Sequence, residues 1–219
     1  MALSRSQILG PTETERVYQA LKDDILAGRL PAGTVLRQGD LAKRLKTSRT
    51  PVREAVVGLA SEFLVDMSPR RGARVAHLSV RDYLEVNQLR WILEGFAARV
   101  AAERVTEAEI ARAERALAEL VDGDSNDVRR LAEADQLVHG LIARHCNNEW
   151  MRRYIEQLNG MMAVARMGDL EHRRDEMVAS LIEIVGSLRS RDGDAAERLM
   201  EEHIRAFTGQ LPLLLQQRG

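Results

Sequence analysis

A single cysteine, Cys146, stands in a chain of 219 residues. No internal disulfide framework is possible, and that usage fits a reducing compartment. Aromatic residues make up only 4%. Ala, Leu, Arg and Glu abound instead, so helix is expected to dominate. No apolar run approaches the roughly 18–20 residues of a transmembrane helix. The N-terminal stretch MALSRSQILGPTE has no h-region of signal-peptide length. A cytoplasmic protein with no membrane partner is therefore expected. Signatures of catalysis are lacking too. There is no nucleophile elbow, no metal motif carrying a general-base Glu, and no Gly-rich cofactor loop.

What is present is unevenly placed. Residues 1–77 hold 13 Lys and Arg against 8 Asp and Glu, whereas residues 78–219 hold 19 against 25. All three lysines (Lys22, Lys43, Lys46) lie in the first part. A basic module joined to an acidic one points to a polyanion partner for the first only.

Along residues 14–27, Val17, Ala20, Leu21 and Ile25 recur at helical spacing. GRLPAGT (Gly28 to Thr34) is a Gly stop followed by a Pro and Gly turn. A short helix over 39–46 turns Leu41, Ala42 and Leu45 inward. A second, over 49–61, carries Val52, Ala55, Val56 and Leu59 on one face. Two short helices around a three- to four-residue turn read as helix-turn-helix. FLVDM and ARVAH, separated by SPRRG, read as a hairpin with two arginines near its tip. The order predicts a winged helix-turn-helix domain over residues 10–78. From Ser79 onward only helical patterns remain, near 79–103, 106–121, 127–145, 148–168, 171–190 and 193–215. Thr106 with Glu109 spells a capping box, and DGDSND and RDGD mark breaks. The fold class is thus mostly α: a winged helix, then an antiparallel helical bundle over 79–215.

The stretch SRTPVREA (Ser48 to Ala55) holds the chemistry of the first domain. Arg49 and Arg53 are four apart and share a helical face. Pro51 suits a first turn. Ser48 or Thr50 is the expected N-cap, and the tendency of a residue before proline to avoid the α conformation leans toward Thr50. Exposed N–H groups, hydroxyls and guanidinium groups at a helix start suit phosphates and base edges, and Arg can hold guanine bidentately.

These pieces carry a resemblance. ILAGRLPAGTVL, LAKRL, SRTPVREAVVGLA and RRGARV are similar to the N-terminal domain of GntR-family transcriptional regulators. The resemblance implies that Ser48, Arg49, Thr50 and Arg53 meet operator DNA, with Arg71 and Gly72 at the wing tip and Arg37 as an additional contact. Glu62-Phe63 departs from the family, which usually has a Gly before the wing's first apolar residue; a changed angle into the wing at Phe63 is expected.

Residues 80–208 resemble the FCD ligand-sensing domain of the FadR-like branch through LRWILEGFAARVAA, DQLVH, the Asn of CNNEW and RDGDAAERLMEEHI. Asp135 and His139 are i and i+4, a spacing that suits one shared ion or an ordinary hydrogen-bonded pair. The family's metal-binding members use an Asp and three His. That implies Asp135, His139 and His203 here, with Leu181 where the fourth ligand is expected; His172, nine residues earlier, is out of register. A divalent ion (Zn, Ni or Mn) held by three ligands, and a site that has lost its metal, both stay open. Arg90 and Glu94 read either as an Arg facing an effector carboxylate or as an intrahelical pair. Met151, Met161, Met162 and Met167 read as adaptable core, and His145 as a helix C-terminal residue.

The expected protein is a homodimeric repressor that binds a short palindromic operator and a small carboxylate effector held by Arg90, Asp135, His139 and His203. A dimeric DNA-binding protein without an effector is the alternative that Leu181 favours. A metal-dependent hydrolase built on the same three ligands is another.

Overall fold

The computed structural model describes residues 10–122, 128–166 and 174–208. It divides into two compact units that part between His77 and Leu78.

The first unit runs α1 (Glu13–Leu26), α2 (Gln38–Arg44), α3 (Arg49–Ser61), β1 (Val65–Ser68) and β2 (Gly72–Val75). A reciprocal cap starts α1. The Thr12 hydroxyl accepts from the Glu15 N–H at 3.2 Å, and the Glu15 carboxylate accepts from the Thr12 N–H at 2.6 Å. Val17, Leu21 and Ile25 line its buried face. Gly28, at φ +68°, stops it in a left-handed turn that a Cβ disfavours. Helices α1 and α3 pack together. A network at the far end of α3 reinforces that packing, with Lys22 Nζ donating to Glu62 at 2.6 Å and the Tyr18 hydroxyl bonded to the same carboxylate.

Ser48, not Thr50, occupies the N-cap, and Pro51 is the third residue of α3. The reason is local. The first-turn N–H groups have no intrahelical acceptor, so Pro51 forfeits no bond there and the helix begins two residues earlier than the pre-proline preference suggests. Strands β1 and β2 pair antiparallel in the register Val65↔Val75 and Met67↔Ala73. An isolated bridge from Val35 to Arg74 flanks β2. Val65, Ala73 and Val75 face a core shared with Leu36, Leu59 and Leu64. Phe63 sits at φ +59° with 59% of its surface exposed. The backbone therefore keeps the left-handed conformation that a Gly would adopt freely.

The second unit holds α4 (Val80–Ala102), α5 (Glu107–Asp122), α6 (Val128–His145), α7 (Glu149–Arg166), α8 (Arg174–Arg189) and α9 (Gly193–Thr208). Capping boxes open α4 (Ser79 with Asp82) and α5 (Thr106 with Glu109). The Asn148 side chain accepts from the N–H groups of Trp150 and Met151 at 3.1 Å, which makes the Asn of CNNEW the cap of α7. Helix α9 packs along α4. A Cβ on Gly95 would stand 2.8 Å from Glu201 Cγ, so a larger residue there would force the Glu201 side chain of α9 to move. Small residues on α4 (Ala97, Ala98, Ala101) join Leu181, Ile184 and Leu188 of α8 and Ile204 of α9 in one core. Residues 123–127, Met167, His172 and the expected helix after Thr208 fall outside the described residues. Among those described, no helix is long and apolar enough to cross a membrane.

Candidate functional site

Two sets of polar residues stand out, one exposed and one buried. The exposed set follows from the two-sidedness of α3. Pro51, Val52, Ala55, Val56 and Leu59 are buried. Ser48, Arg49, Thr50, Arg53, Glu54 and Val57 are exposed. Gln38, Arg49, Thr50, Arg53, Glu54 and Val57 line a groove of about 550 Å³. Arg49 reaches back over α2, where a Cβ on Gly39 would be 3.4 Å from its Nη2. Glu54 accepts from Thr14 Oγ1 of α1 at 2.7 Å. Arg37, the N-cap of α2, is exposed, as are Arg71 and Gly72 where the hairpin turns. Among the described residues, no ion pair takes up Arg37, Arg49, Arg53 or Arg71. These cations remain open to a polyanion.

The buried set lies inside the bundle. Asn87, Arg90, Glu94, Asp135, His139 and His203 are all at most 4% exposed. Burying charge in this way requires pairing, and the pairing is extensive. Arg90 Nε donates to Glu94 Oε1 at 2.7 Å and Arg90 Nη1 to Asn87 Oδ1 at 3.2 Å. The other Glu94 oxygen takes the Nδ1 of His139 and, at 3.2 Å, the Nδ2 of Asn159. Burial alone would raise the Glu94 pKa. The Arg90 charge, then His139, outweigh it and hold the carboxyl down at about 2. Burial likewise opposes a charge on His139, but the Glu94 and Asp135 carboxylates overcome it and raise its pKa.

The Nδ1 partners fix the imidazole tautomers. Glu94 accepts from His139 Nδ1–H. Ser180 Oγ donates to the Met177 carbonyl at 2.9 Å, so it accepts from His203 Nδ1–H at 2.8 Å. Both Nε2 atoms then turn toward Asp135 Oδ1, at 3.3 Å from His139 and 3.4 Å from His203, and stand 3.4 Å from each other. Each imidazole is thus oriented by a partner behind it, as metal-ligating His residues are. A tetrahedral ion with bonds of about 2.1 Å keeps its donors about 3.4 Å apart. The donor types and the triangle fit a small divalent ion.

Sequence reasoning thus named Arg90, Asp135, His139 and His203 in one place, and the fold brings them together. Leu181 is fully buried in the apolar core. Arg90 and Glu94 do pair along one helix, but wholly inside the bundle rather than at its surface. Asn87, Ser180 and Asn159 went unnoticed. Asn87, Arg90 and Glu94 are spaced i, i+3, i+7 on α4, a polar stripe that would have revealed the first of them. Met162 is buried with its Sδ 3.7 Å from Asn87 Nδ2, and Met151 packs against the core. His145 pairs with Glu109 across helices at 2.9 Å.

Comparison with known proteins gives the same division. Residues 13–75 match the gntR family of bacterial regulatory proteins, and residues 85–206 match the FCD domain. The chain is 30% identical over 210 residues to a probable D-xylose utilization operon transcriptional repressor of Paenarthrobacter nicotinovorans, covering 94% of this chain and 92% of that one. It is 26% identical to the galactonate operon transcriptional repressor of Escherichia coli K12, covering 91% and 96%. Among solved structures, E. coli McbR/YncC superposes with a TM-score of 0.81 at 24% identity, covering 95% of this chain and all of that one.

Proposed function

Because the chain belongs to the GntR family of transcriptional regulators and carries an FCD domain, we propose that it is a homodimeric repressor acting in the cytoplasm, in which α3 reads a short palindromic operator and the buried polar cluster receives a small carboxylate effector. The observation that carries the DNA half is the open face of Arg49, Thr50 and Arg53 at the start of α3. The N-terminal residues of the second helix in a helix-turn-helix reach base edges in the major groove. Arg71 and Gly72 at the wing, Ser48 at the cap and Arg37 supply backbone contacts that set register. Relatives that are named transcriptional repressors support the direction of regulation.

A palindrome needs two copies. Helix α4 supplies a face for the second one: Leu89, Ile92 and Phe96, spaced i, i+3, i+7, are 52%, 55% and 48% exposed. Such a stripe on a charged helix suits burial against its own copy.

The effector half rests on the cluster of Arg90, Asp135, His139 and His203. Asp135 Oδ1 and the two Nε2 atoms would hold a divalent metal (Zn, Ni or Mn), which supplies a Lewis-acidic cation to a carboxylate oxygen. Arg90 places a buried guanidinium beside His139, its Nη2 3.4 Å from Nδ1, where it orients an anion. Glu94 and Ser180 hold the two Nδ1 atoms and so orient both Nε2 atoms toward an ion, whose binding would displace any Nε2 proton.

The test is DNA selection from a random pool followed by titration of the selected duplex. Arg53→Ala should weaken specific binding by about 1–3 kcal/mol while leaving random DNA much less affected. Equal weakening on every sequence would mark Arg53 as a phosphate contact, and no weakening would remove α3 as the reading element.

A further inference from the structure

The open face of α3 is not basic along its whole length. Arg49, Thr50 and Arg53 stand at its start, and Glu54 and Val57 follow in the same groove. At about 100° per residue, Val57 projects from the helix between the directions of Thr50 and Arg53, about 6 Å beyond Arg53 along the axis. It is 50% exposed, whereas Val52 and Val56 on the opposite face are fully buried. It lies outside the apolar core of this unit. A β-branched residue at an exposed helical position also forms helix less well than Arg, Lys or Glu would. A single exposed Val on an arbitrary surface needs no explanation. This one sits in the middle of the face that Arg49 and Arg53 present.

Glu54 narrows what that part of the face can meet. Its carboxylate accepts from Thr14 Oγ1 at 2.7 Å, and its charge repels phosphate. Contacts to the DNA backbone come from cations, hydroxyls, side-chain amides and N–H groups. Glu54 and Val57 supply none of these, so the stretch of α3 beyond Arg53 suits base edges rather than phosphates. Among the groups that base pairs turn into the major groove, one is apolar: the C5-methyl of thymine.

We infer that Val57 is a specificity-determining residue, its isopropyl group packing on the C5-methyl of a thymine close to the base read by Arg53, so that each operator half-site carries a thymine there. This rests on the reading of α3 as the helix that enters the major groove, and it assigns one further base to that helix. The contact is apolar on both sides. It therefore adds selectivity without adding to the salt-dependent attraction that the arginines exert on any DNA.

The experiment uses the full chain and the duplex that it selects from a random pool. Each thymine of one half-site is replaced in turn by deoxyuridine, which removes the methyl group and keeps every hydrogen-bonding atom. Affinity is read by fluorescence anisotropy for the wild type, Val57→Ala and Arg53→Ala. The expected result is one thymine whose replacement weakens the wild type about three- to fivefold, the worth of one methyl group withdrawn from water. Val57→Ala should bind the unmodified duplex more weakly by a similar factor and be indifferent to uracil at that position, with an equal or higher melting temperature. Val57→Thr keeps the shape and exchanges one methyl for a hydroxyl; it should show the same loss in part, and it replaces the alanine variant if that chain is unstable. If Arg53→Ala loses specific binding but no uracil weakens the wild type, the inference is overturned and the reading of α3 stands. A uracil that weakens Val57→Ala as much as the wild type assigns the methyl to another residue and also overturns it. If neither Arg53→Ala nor any uracil changes the affinity, the reading of α3 fails and this inference fails with it.

Discussion

Arg90→Met removes one member of a pair in which both side chains are fully buried. The Glu94 carboxylate would then lose its guanidinium without regaining water. Removing one partner of a buried pair typically costs about 3–5 kcal/mol. Glu94 keeps donors from His139 and Asn159, which sets the expectation at the lower end, near 3 kcal/mol. For a chain of this size each kcal/mol moves the melting temperature by about 2–4 °C, so the bundle should melt roughly 6–12 °C lower. The double variant Arg90→Met with Glu94→Gln removes the orphaned charge and should recover most of the loss. Calorimetry with urea titration reads both. A single variant that costs under about 1 kcal/mol would show that Glu94 is reached by water, and the description of a desolvated, tightly paired cluster would be wrong. So would a double variant no more stable than the single one.

Phe63→Gly should stabilise the winged helix by about 1 kcal/mol, because it relieves a left-handed residue that buries little; urea unfolding checks it, and a loss of stability would mean that the Phe63 ring does more than its exposure suggests. Ile92→Asp combined with Phe96→Asp should shift the proposed dimer to a monomer in light scattering, and a persistent dimer would place the interface elsewhere. Glu109, held down at about 2 by the hydrogen bond from His145 and then by Thr106, contributes stability that is complete above its ordinary value of 4.5 and is lost as the pH falls toward 2. Glu109→Gln should flatten the stability profile in that window, and an unchanged slope would show the pairing to be without consequence.

The winged helix was legible because its punctuation is local. Gly28, the SRTPVREA start of α3 and the SPRRG turn each act on their own few residues, and the elements lie within two residues of where the periodicity puts them. The choice between Ser48 and Thr50 as the cap of α3 is also local: the preference of the residue before proline favours Thr50, whereas first-turn N–H groups have no intrahelical acceptor for Pro51 to forfeit, and the helix starts from Ser48. In the bundle, Asp135, His139 and Arg90 could be named from i, i+4 spacing and family likeness. Asn159 and Ser180 could not. Each is one polar residue on a helix of mixed character, and its role appears only when α7 is set against Glu94 of α4, or α8 against His203 of α9. The same holds for Glu94, whose pair with Arg90 looks like any surface helical pair until burial is known.

The central claim is that the buried cluster in the bundle controls the DNA-reading face of α3. Its most direct test is the fluorescence anisotropy of a selected operator duplex, titrated with and without a panel of small carboxylic acids, for the wild type and for Asp135→Ala. The account predicts that at least one acid changes the operator affinity of the wild type by about 5–150-fold, the range of a coupling free energy of 1–3 kcal/mol. Asp135→Ala should bind the operator as the ligand-free wild type does and not respond. An Asp135→Ala variant that responds as the wild type does, or a wild type whose affinity no acid moves, would contradict it.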